Sequence, residues 1–254
     1  MDYPALVPGV LLRRYKRFLA DVRLEDGREV VGHCPNTGSM RAVNVPGSRV
    51  WLSPSNDPRR KLAWTWELVE LAQPASPSSG GVALASVNTG RANRIVEEAL
   101  ASGRVDELSG FDQLRREVTV DGGRLDFCLS DAAGRQTYVE VKQVTLRESD
   151  GHGYFPDAVS ERGRRHLEAL LALAQQGHRA VLLFCVTHEG IASVAPAAHL
   201  DPAYAEALRR VEAQGVEVLA RACRFDWSDE RPAAVSLGQA LPVVLDHCFV
   251  PLPG

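Results

Sequence analysis

The sequence predicts an α/β chain of the two-domain, α+β kind, with a small all-β barrel or sandwich followed by a mixed-sheet domain. Three observations carry this. Residues 1–90 hold short apolar runs separated by clusters of turn formers. From Asn93 onward, helical spacing alternates with strand-like runs. Ala180 to Val186 is wholly apolar for seven residues, as a strand buried on both faces requires and far short of a membrane span.

In the front part, VLLRRYKRFLADVRL reads as a single strand entering the turn EDG and a second strand, REVVGH. The turn-rich CPNTGSM and VPGS lead to RVWLS, the loop SPSNDPRR to KLAWTWELVELA, and AQPASPSSGG, a flexible surface loop, to GVALASV. Five short strands of this kind suit an OB-like β-barrel. RIVEEALASG then reads as a helix stopped by Gly103. RREVTV, RLDFCLS and TYVEVKQV follow as a meander around DGG and SDAAGRQ, and SERGRRHLEALLALAQQG is a second helix ending on glycine. It feeds the buried strand HRAVLLFCVTH. Asp201-Pro202 opens a third helix, and VEVLARACRF is the last clear strand. The pattern changes at residues 85–92, which divides the chain into a barrel (1–88), an α/β domain (89–245) and a tail (246–254).

Composition narrows the function. Residues 1–90 hold 11 Lys+Arg against 8 Asp+Glu, and residues 91–254 hold 18 against 24. A basic front suits a polyanion and an acidic back suits bound cations. Five dispersed cysteines without a C-x-x-C spacing argue against disulfides or structural zinc, and they read as small buried hydrophobes. No Rossmann or P-loop glycine pattern is present, which disfavours a small-molecule enzyme and predicts no small-molecule cofactor. Arg13, Arg14, Lys16 and Arg17 stand where the apolar stretch of a signal peptide would lie, so a cytoplasmic protein without membrane attachment is expected. Only Lys16, Lys61 and Lys142 are lysine among 29 basic residues. Each marks a place where a compact ammonium is wanted in preference to a guanidinium fork.

Lys142 belongs to the most informative motif. RLDFCLS puts Asp126 on one strand, and TYVEVKQV puts Glu140-x-Lys142 on the next. Side chains two apart on a strand share a face, and the short connection lets the strands pair, which brings Asp126 alongside. Two converging carboxylates repel unless a cation lies between them. Mg²⁺ or Mn²⁺, hard ions that take carboxylate and carbonyl oxygens, fits this and bridges naturally to a phosphate. Lys142 would orient or deprotonate a water, or steady charge on phosphorus. The competing explanation, a solvated ion pair, sits poorly with strands whose other residues (Leu125, Phe127, Leu129, Val139, Val141) are apolar. On the first helix Glu97 and Glu98 lie about 100° apart, so one of them can face the sheet, and Glu98 is the preferred fourth site residue.

RRYKRFLADV, HCPNTGSM, KLAWTWELV, RLDF, YVEVKQVTL, FPDAV followed by RGRRHL, and GHRAVLLF resemble, in the same order, the sugar fermentation stimulation protein A family, over residues 2–245. The resemblance implies an OB-like barrel joined to a PD-(D/E)xK nuclease-like domain, and it implies DNA binding. It puts the nuclease motif on Asp126, Glu140 and Lys142, with Glu98 as helix carboxylate and Asp126, Glu140 and Val141 as the metal set. Leu125-Asp126 stands for the superfamily's Pro-Asp, and Gln143 where Asn is expected.

For the nucleic acid, Arg13, Arg14, Lys16 and Arg17 distribute cations over both faces of the first strand. Arg59, Arg60 and Lys61 supply further phosphate contacts, with Tyr15, Trp51, Trp64 and Trp66 as stacking candidates. Trp64 is the preferred base platform and one of the pair Trp64/Trp66 belongs to the core. Asn36, Thr37 and Ser39 in CPNTGSM can present donors to an anion. On the second helix Arg162, Arg165 and His166 can reach a phosphate beside the acidic cluster. His33, His152, His166 and His178 lack ligand spacing and read as core or capping residues. The leading expectation is a Mg²⁺- or Mn²⁺-dependent nuclease, with a homodimer compatible. The alternative is a non-catalytic DNA-binding regulator of sugar metabolism. A helix-turn-helix reader is disfavoured, because the basic residues gather on strands.

Overall fold

The computed structural model describes residues 1–72 and 81–250. The loop read at AQPASPSSGG falls almost wholly outside the described residues.

The front part closes into a barrel. Strands β1 (Val7–Tyr15), β2 (Leu19–Leu24), β3 (Glu29–His33), β4 (Arg49–Pro54) and β5 (Trp64–Ala72) run antiparallel in the order β3-β2-β1-β4-β5. β3 meets β5 in parallel through Gly32–Trp64 and His33–Thr65, which closes the ring. β6 (Val82–Ser86) adds to β5. Leu11, Val22, Leu52 and Trp66 fill the interior, and the Trp66 indole N–H is satisfied by the Leu68 carbonyl at 2.9 Å.

The barrel departs from expectation in one place. The run read as a single strand is two, folded back at Lys16 and Arg17, whose φ values are 48° and 65°. Left-handed backbone at two consecutive residues is the geometry of a tight hairpin, usually supplied by Gly or Asn. Here the Arg14 side chain holds the turn by donating to the Arg17 carbonyl at 3.0 Å. The alternation of cations between faces therefore ends at Tyr15.

The second part is a mixed sheet between helices. In chain order come α1 (Gly90–Ala101), β7 (Gln113–Val120), β8 (Gly123–Ser130), β9 (Gln136–Val144), β10 (Leu146–Arg147), β11 (Gly153–Phe155), α2 (Glu161–Gln175), β12 (Arg179–Val186), β13 (Val194–Pro196), α3 (Pro202–Ala213), β14 (Glu217–Ser228) and β15 (Arg231–Ala240). The main sheet is ordered β15-β14-β12-β9-β8-β7, with β12 parallel to both neighbours. This is the apolar run Ala180–Val186, buried throughout. α2 is capped by Ser160, and α3 by Asp201 ahead of Pro202. Asp201 also accepts from Ser160 N at 2.8 Å, which locks the two helix starts together.

Three features lie beyond the sequence reading. β15 continues past VEVLARACRF through a hairpin at Asp229 and Glu230, again at positive φ. β10, β11 and β13 form a separate small sheet. The first residues, assigned to the barrel, pair instead with β15: Tyr3 N donates to Ala233 O at 2.8 Å. One core cluster consequently joins Tyr3, Leu6, Trp51 and Leu84 to α1 and to the sheet face of Phe127 and Val139, so the two parts share apolar packing. Four cysteines are buried as expected, while Cys248 is exposed.

Candidate active site

The site begins where a ladder opens. β8 and β9 pair from Ser130–Gln136 to Phe127–Val139, and no further rung is made. On the other flank Glu117 of β7, at φ 53°, drops out of the ladder opposite Asp126 although the register is the same on both sides of it, and Leu125 packs with the α2-side core while Phe127 packs with the α1-side core. Asp126 lies at this distortion. Its Oδ2 replaces the missing rung by accepting the Val141 N–H at 2.8 Å, and its Oδ1 accepts from Asn93 Nδ2 of α1 at 2.6 Å.

Glu140 and Lys142 share a face of β9, and Lys142 Nζ donates to Glu140 Oε1 at 2.5 Å. Both side chains are largely enclosed. The same Oε1 also meets His166 Nδ1 from α2, and Lys142 Nζ lies 3.4 Å from that nitrogen. Arg162, one turn earlier, donates to His166 Nε2 at 3.4 Å. Glu140 Oε2 is buried with no hydrogen-bond partner among the described residues. Burial pushes the Glu140 carboxyl up, but the His166 hydrogen bond and the Lys142 charge outweigh it and hold the group below the ordinary range. Burial, and then the neighbouring Glu140 charge, push the Asp126 carboxyl the other way, to about 6. Two environments thus separate two like groups, an arrangement concentrated at functional sites.

Asp126, Glu140 and Lys142 are therefore brought together. Glu98 is not. It turns to the chain's N-terminal ammonium at 2.7 Å, and Glu97 pairs with Arg116, because the buried stripe of α1 (Ala92, Ile95, Val96, Ala99) presents Asn93 to the site. An amide stands where a carboxylate was expected. His166, read both as a core or capping residue and, with Arg162 and Arg165, as lying beside the acidic cluster, is buried and is a direct partner of Glu140. The signal available for it was its i,i+4 spacing from Arg162 on the flank of a buried helix face.

A cleft of about 230 Å³ runs from Val141 and Lys142 past Asn93 to Asn36 of the barrel. Arg91, at the start of α1, anchors this junction. Its guanidinium makes a bidentate pair with the buried Glu67 carboxylate, at 2.6 and 2.7 Å, which also accepts from Ser53 and Asn88.

The residues expected to meet nucleic acid divide into two groups. Arg14 donates to the carbonyls of Asn36 and Gly38 at 2.9 Å, Asn36 Oδ1 accepts Gly38 N, and Ser39 Oγ and Met40 N both donate to Asp157. The CPNTGSM loop is thus already engaged by the chain's own carboxylate, and Arg14 buttresses it, so this loop is not an open anion cradle. Thr37 on the same loop is exposed, as are Lys16, Arg17, Arg59, Lys61 and Arg162. Arg13 is exposed beside Asp21, and Arg59 pairs with Asp57. Trp66 is core and Trp64 is half-buried against it.

Residues 90–229 match the sugar fermentation stimulation protein RE domain, and residues 12–75 match the SfsA N-terminal OB domain. The chain belongs to the sugar fermentation stimulation protein family. Its homolog from Chromohalobacter salexigens is 66% identical over 248 residues, covering 97% of this chain and 96% of the relative. One from a Shewanella species is 53% identical over 242 residues, covering 94% and 97%. Among solved structures, Pyrococcus furiosus SfsA in complex with Ca²⁺ superposes with a TM-score of 0.82 at 26% identity, covering 96% of this chain and 98% of that one. The family's OB domain is the closed barrel, and its RE domain begins with α1 and spans β7 to β14.

Proposed function

We propose that this family member is a Mg²⁺- or Mn²⁺-dependent nuclease that hydrolyses phosphodiester bonds in DNA. The observation that carries the proposal is the buried Glu140 Oε2, which has no hydrogen-bond partner among the described residues and lies on a carboxylate whose charge pushes up the Asp126 carboxyl. A charged oxygen left unpaired in a dry site is costly unless a cation meets it. Asp126, Glu140 and the Val141 carbonyl are all hard oxygen donors, and in an extended strand the carbonyl leaves on the same side as the N–H that Asp126 accepts. The residues present therefore fit a hard divalent ion. The Ca²⁺ complex of the Pyrococcus furiosus relative supports that class of ion.

Bound there, the ion would supply Lewis-acid stabilisation of charge on the scissile phosphate. The chain does the rest. Asn93 and the Val141 N–H fix the Asp126 carboxylate. His166 and Lys142 hold Glu140 by Oε1, which would leave Oε2 to meet the ion. Lys142, between Glu140 and the cleft, positions a water for attack or neutralises the developing charge. Exposed Arg162 at one side and Lys16, Arg17, Arg59 and Lys61 on the barrel offer phosphate contacts, with Trp64 available for stacking. No helix among the described residues is long and apolar enough to cross a membrane, and this reading puts the protein in the cytoplasm with its DNA.

The test is incubation of labelled single- and double-stranded DNA with the protein and Mg²⁺ or Mn²⁺, comparing wild type with Glu140→Gln. Cutting by wild type, reduced at least about 10³-fold in the variant while DNA binding persists, is the expected result. Retained binding with no cutting by wild type under either metal would leave a DNA-binding regulator in place of the enzyme.

A further inference from the structure

A second cluster of ligating side chains lies away from the Asp126–Glu140 site. Asp150 and His152 sit on the turn between β10 and β11, and His247 comes from the C-terminal tail. One donor atom from each lies within 4.8 Å of the others. His247 Nε2 meets Asp150 Oδ2 at 3.0 Å, and the His152 and His247 rings stack at 4.0 Å with 19° between their planes. Nothing in strand or helix periodicity brings together residues 97 positions apart in sequence, as Asp150 and His247 are.

The surroundings hold these groups in place. Ser193 Oγ pairs with His152 Nδ1 at 2.7 Å, which leaves Nε2 of that ring as the available ligand. Tyr154 OH donates to Asp150 Oδ2 at 2.5 Å, and His152 N donates to Asp150 Oδ1 at 3.0 Å. Partners that orient a ring and a carboxylate are the usual outer shell of a metal site. Two imidazoles and one carboxylate suit a borderline transition ion and not Mg²⁺ or Ca²⁺, which prefer oxygen alone. A tetrahedral Zn²⁺ with bonds of ~2.1 Å needs donors about 3.4 Å apart. The donors, within 4.8 Å of one another, have to draw closer and the stacked rings have to turn to meet one ion, a movement asked of two ligands on a turn and a third on a tail.

We propose that Asp150, His152 and His247 form a Zn²⁺-class site that clips the C-terminal tail to the small β10-β11-β13 sheet. It is independent of the nuclease reading. The tail, without an evident use in the sequence, acquires one: His247 closes the site, and Phe249 beside it packs edge-on to Tyr154.

The test uses the full chain carrying Asp126→Asn, Glu140→Gln and Cys248→Ser, which removes the acidic site and an exposed thiol as competing ligands. Zn²⁺ is titrated against a chromophoric indicator, and Co²⁺ is followed by its visible absorption. One equivalent of Zn²⁺ is expected, with Co²⁺ bands that zinc displaces. Adding His247→Ala should lower the affinity at least about 100-fold, and Ser193→Ala, which removes only an outer partner, about 10–100-fold. His247 is on a tail, so its replacement leaves the fold intact, and unchanged thermal unfolding without metal verifies this. Absence of zinc binding in the parent, or binding that survives His247→Ala, overturns the proposal.

Discussion

Asp126→Asn in metal-free protein provides a direct test of the electrostatics of the acidic pair. The Asp126 carboxyl stands at about 6 in the folded chain against an ordinary 3.8, with burial the larger cause and the Glu140 charge the second. A carboxyl raised in this way keeps its proton in the folded state at pH values where the unfolded chain has lost it. Its favourable contribution is complete below 3.8, declines as pH climbs through 6, and is absent above. The step from 3.8 to about 6 corresponds to about 3 kcal/mol of penalty at pH 8, since a tenfold change in proton affinity is worth roughly 1.4 kcal/mol. Asn carries no charge and can reproduce both hydrogen bonds: its oxygen accepts from Val141 N, and its amide donates to Asn93 once that side chain flips. The variant in EDTA should therefore be more stable than wild type at pH 8 by about 1–3 kcal/mol, a melting-temperature rise of about 2–10 °C for a chain of this length. At pH 4 the difference should nearly vanish. Addition of Mn²⁺ should stabilise wild type alone, by mass action on a site the variant has lost. Calorimetry or urea unfolding at the two pH values measures this. A variant less stable than wild type at pH 8, or a gap that does not change with pH, would refute the argument that the pair is held together against repulsion.

How far the sequence reveals this molecule depends on the physical scale of each feature. The barrel and the mixed sheet are legible because their strands alternate and their turns carry glycine, as at Gly27 in EDG and Gly122 in DGG, both at positive φ. Two hairpins are hidden for the converse reason: Lys16-Arg17 and Asp229-Glu230 adopt left-handed backbone without glycine or asparagine. The small sheet is hidden because strands of two or three residues have no period to detect. In the site, Asp126, Glu140 and Lys142 are legible because adjacent strands convert sequence spacing into shared faces. The helix residues are not. The apolar stripe of α1 marks its buried side, but which flank of that stripe meets the sheet opening depends on how the helix docks, and it presents Asn93 while Glu98 turns to the N-terminus. Likewise the engagement of the CPNTGSM loop by Asp157, 117 positions beyond Met40, is a tertiary contact that loop composition cannot announce.

Two further outcomes follow from the same geometry. Glu98→Ala should leave Mn²⁺ affinity and cleavage within about twofold of wild type. Asn93→Ala, which removes a hydrogen bond to a charged carboxylate, should cost about 1.5–3 kcal/mol in metal binding by calorimetric titration; equal effects of the two would return Glu98 to the site. Arg91→Ala probes the junction between barrel and α1. It leaves the Glu67 carboxylate almost fully buried, with Ser53 and Asn88 as its remaining donors. Breaking one side of a buried pair costs about 3–5 kcal/mol, since the other charge stays uncompensated. In wild type, burial pushes the Glu67 carboxyl up, but Arg91 and the neighbouring donors hold it below the ordinary range, so its contribution is present above its unfolded value and lost in acid. Without Arg91 the same carboxyl moves upward, and its cost then grows as pH rises. Urea unfolding should therefore show a large loss at pH 7 that shrinks toward pH 4, and Glu67→Gln added to Arg91→Ala should restore much of the stability at pH 7. A loss equal at both pH values would mean that Arg91 acts through packing against Tyr3, over whose ring its guanidinium lies at 4.7 Å, and not through its charge.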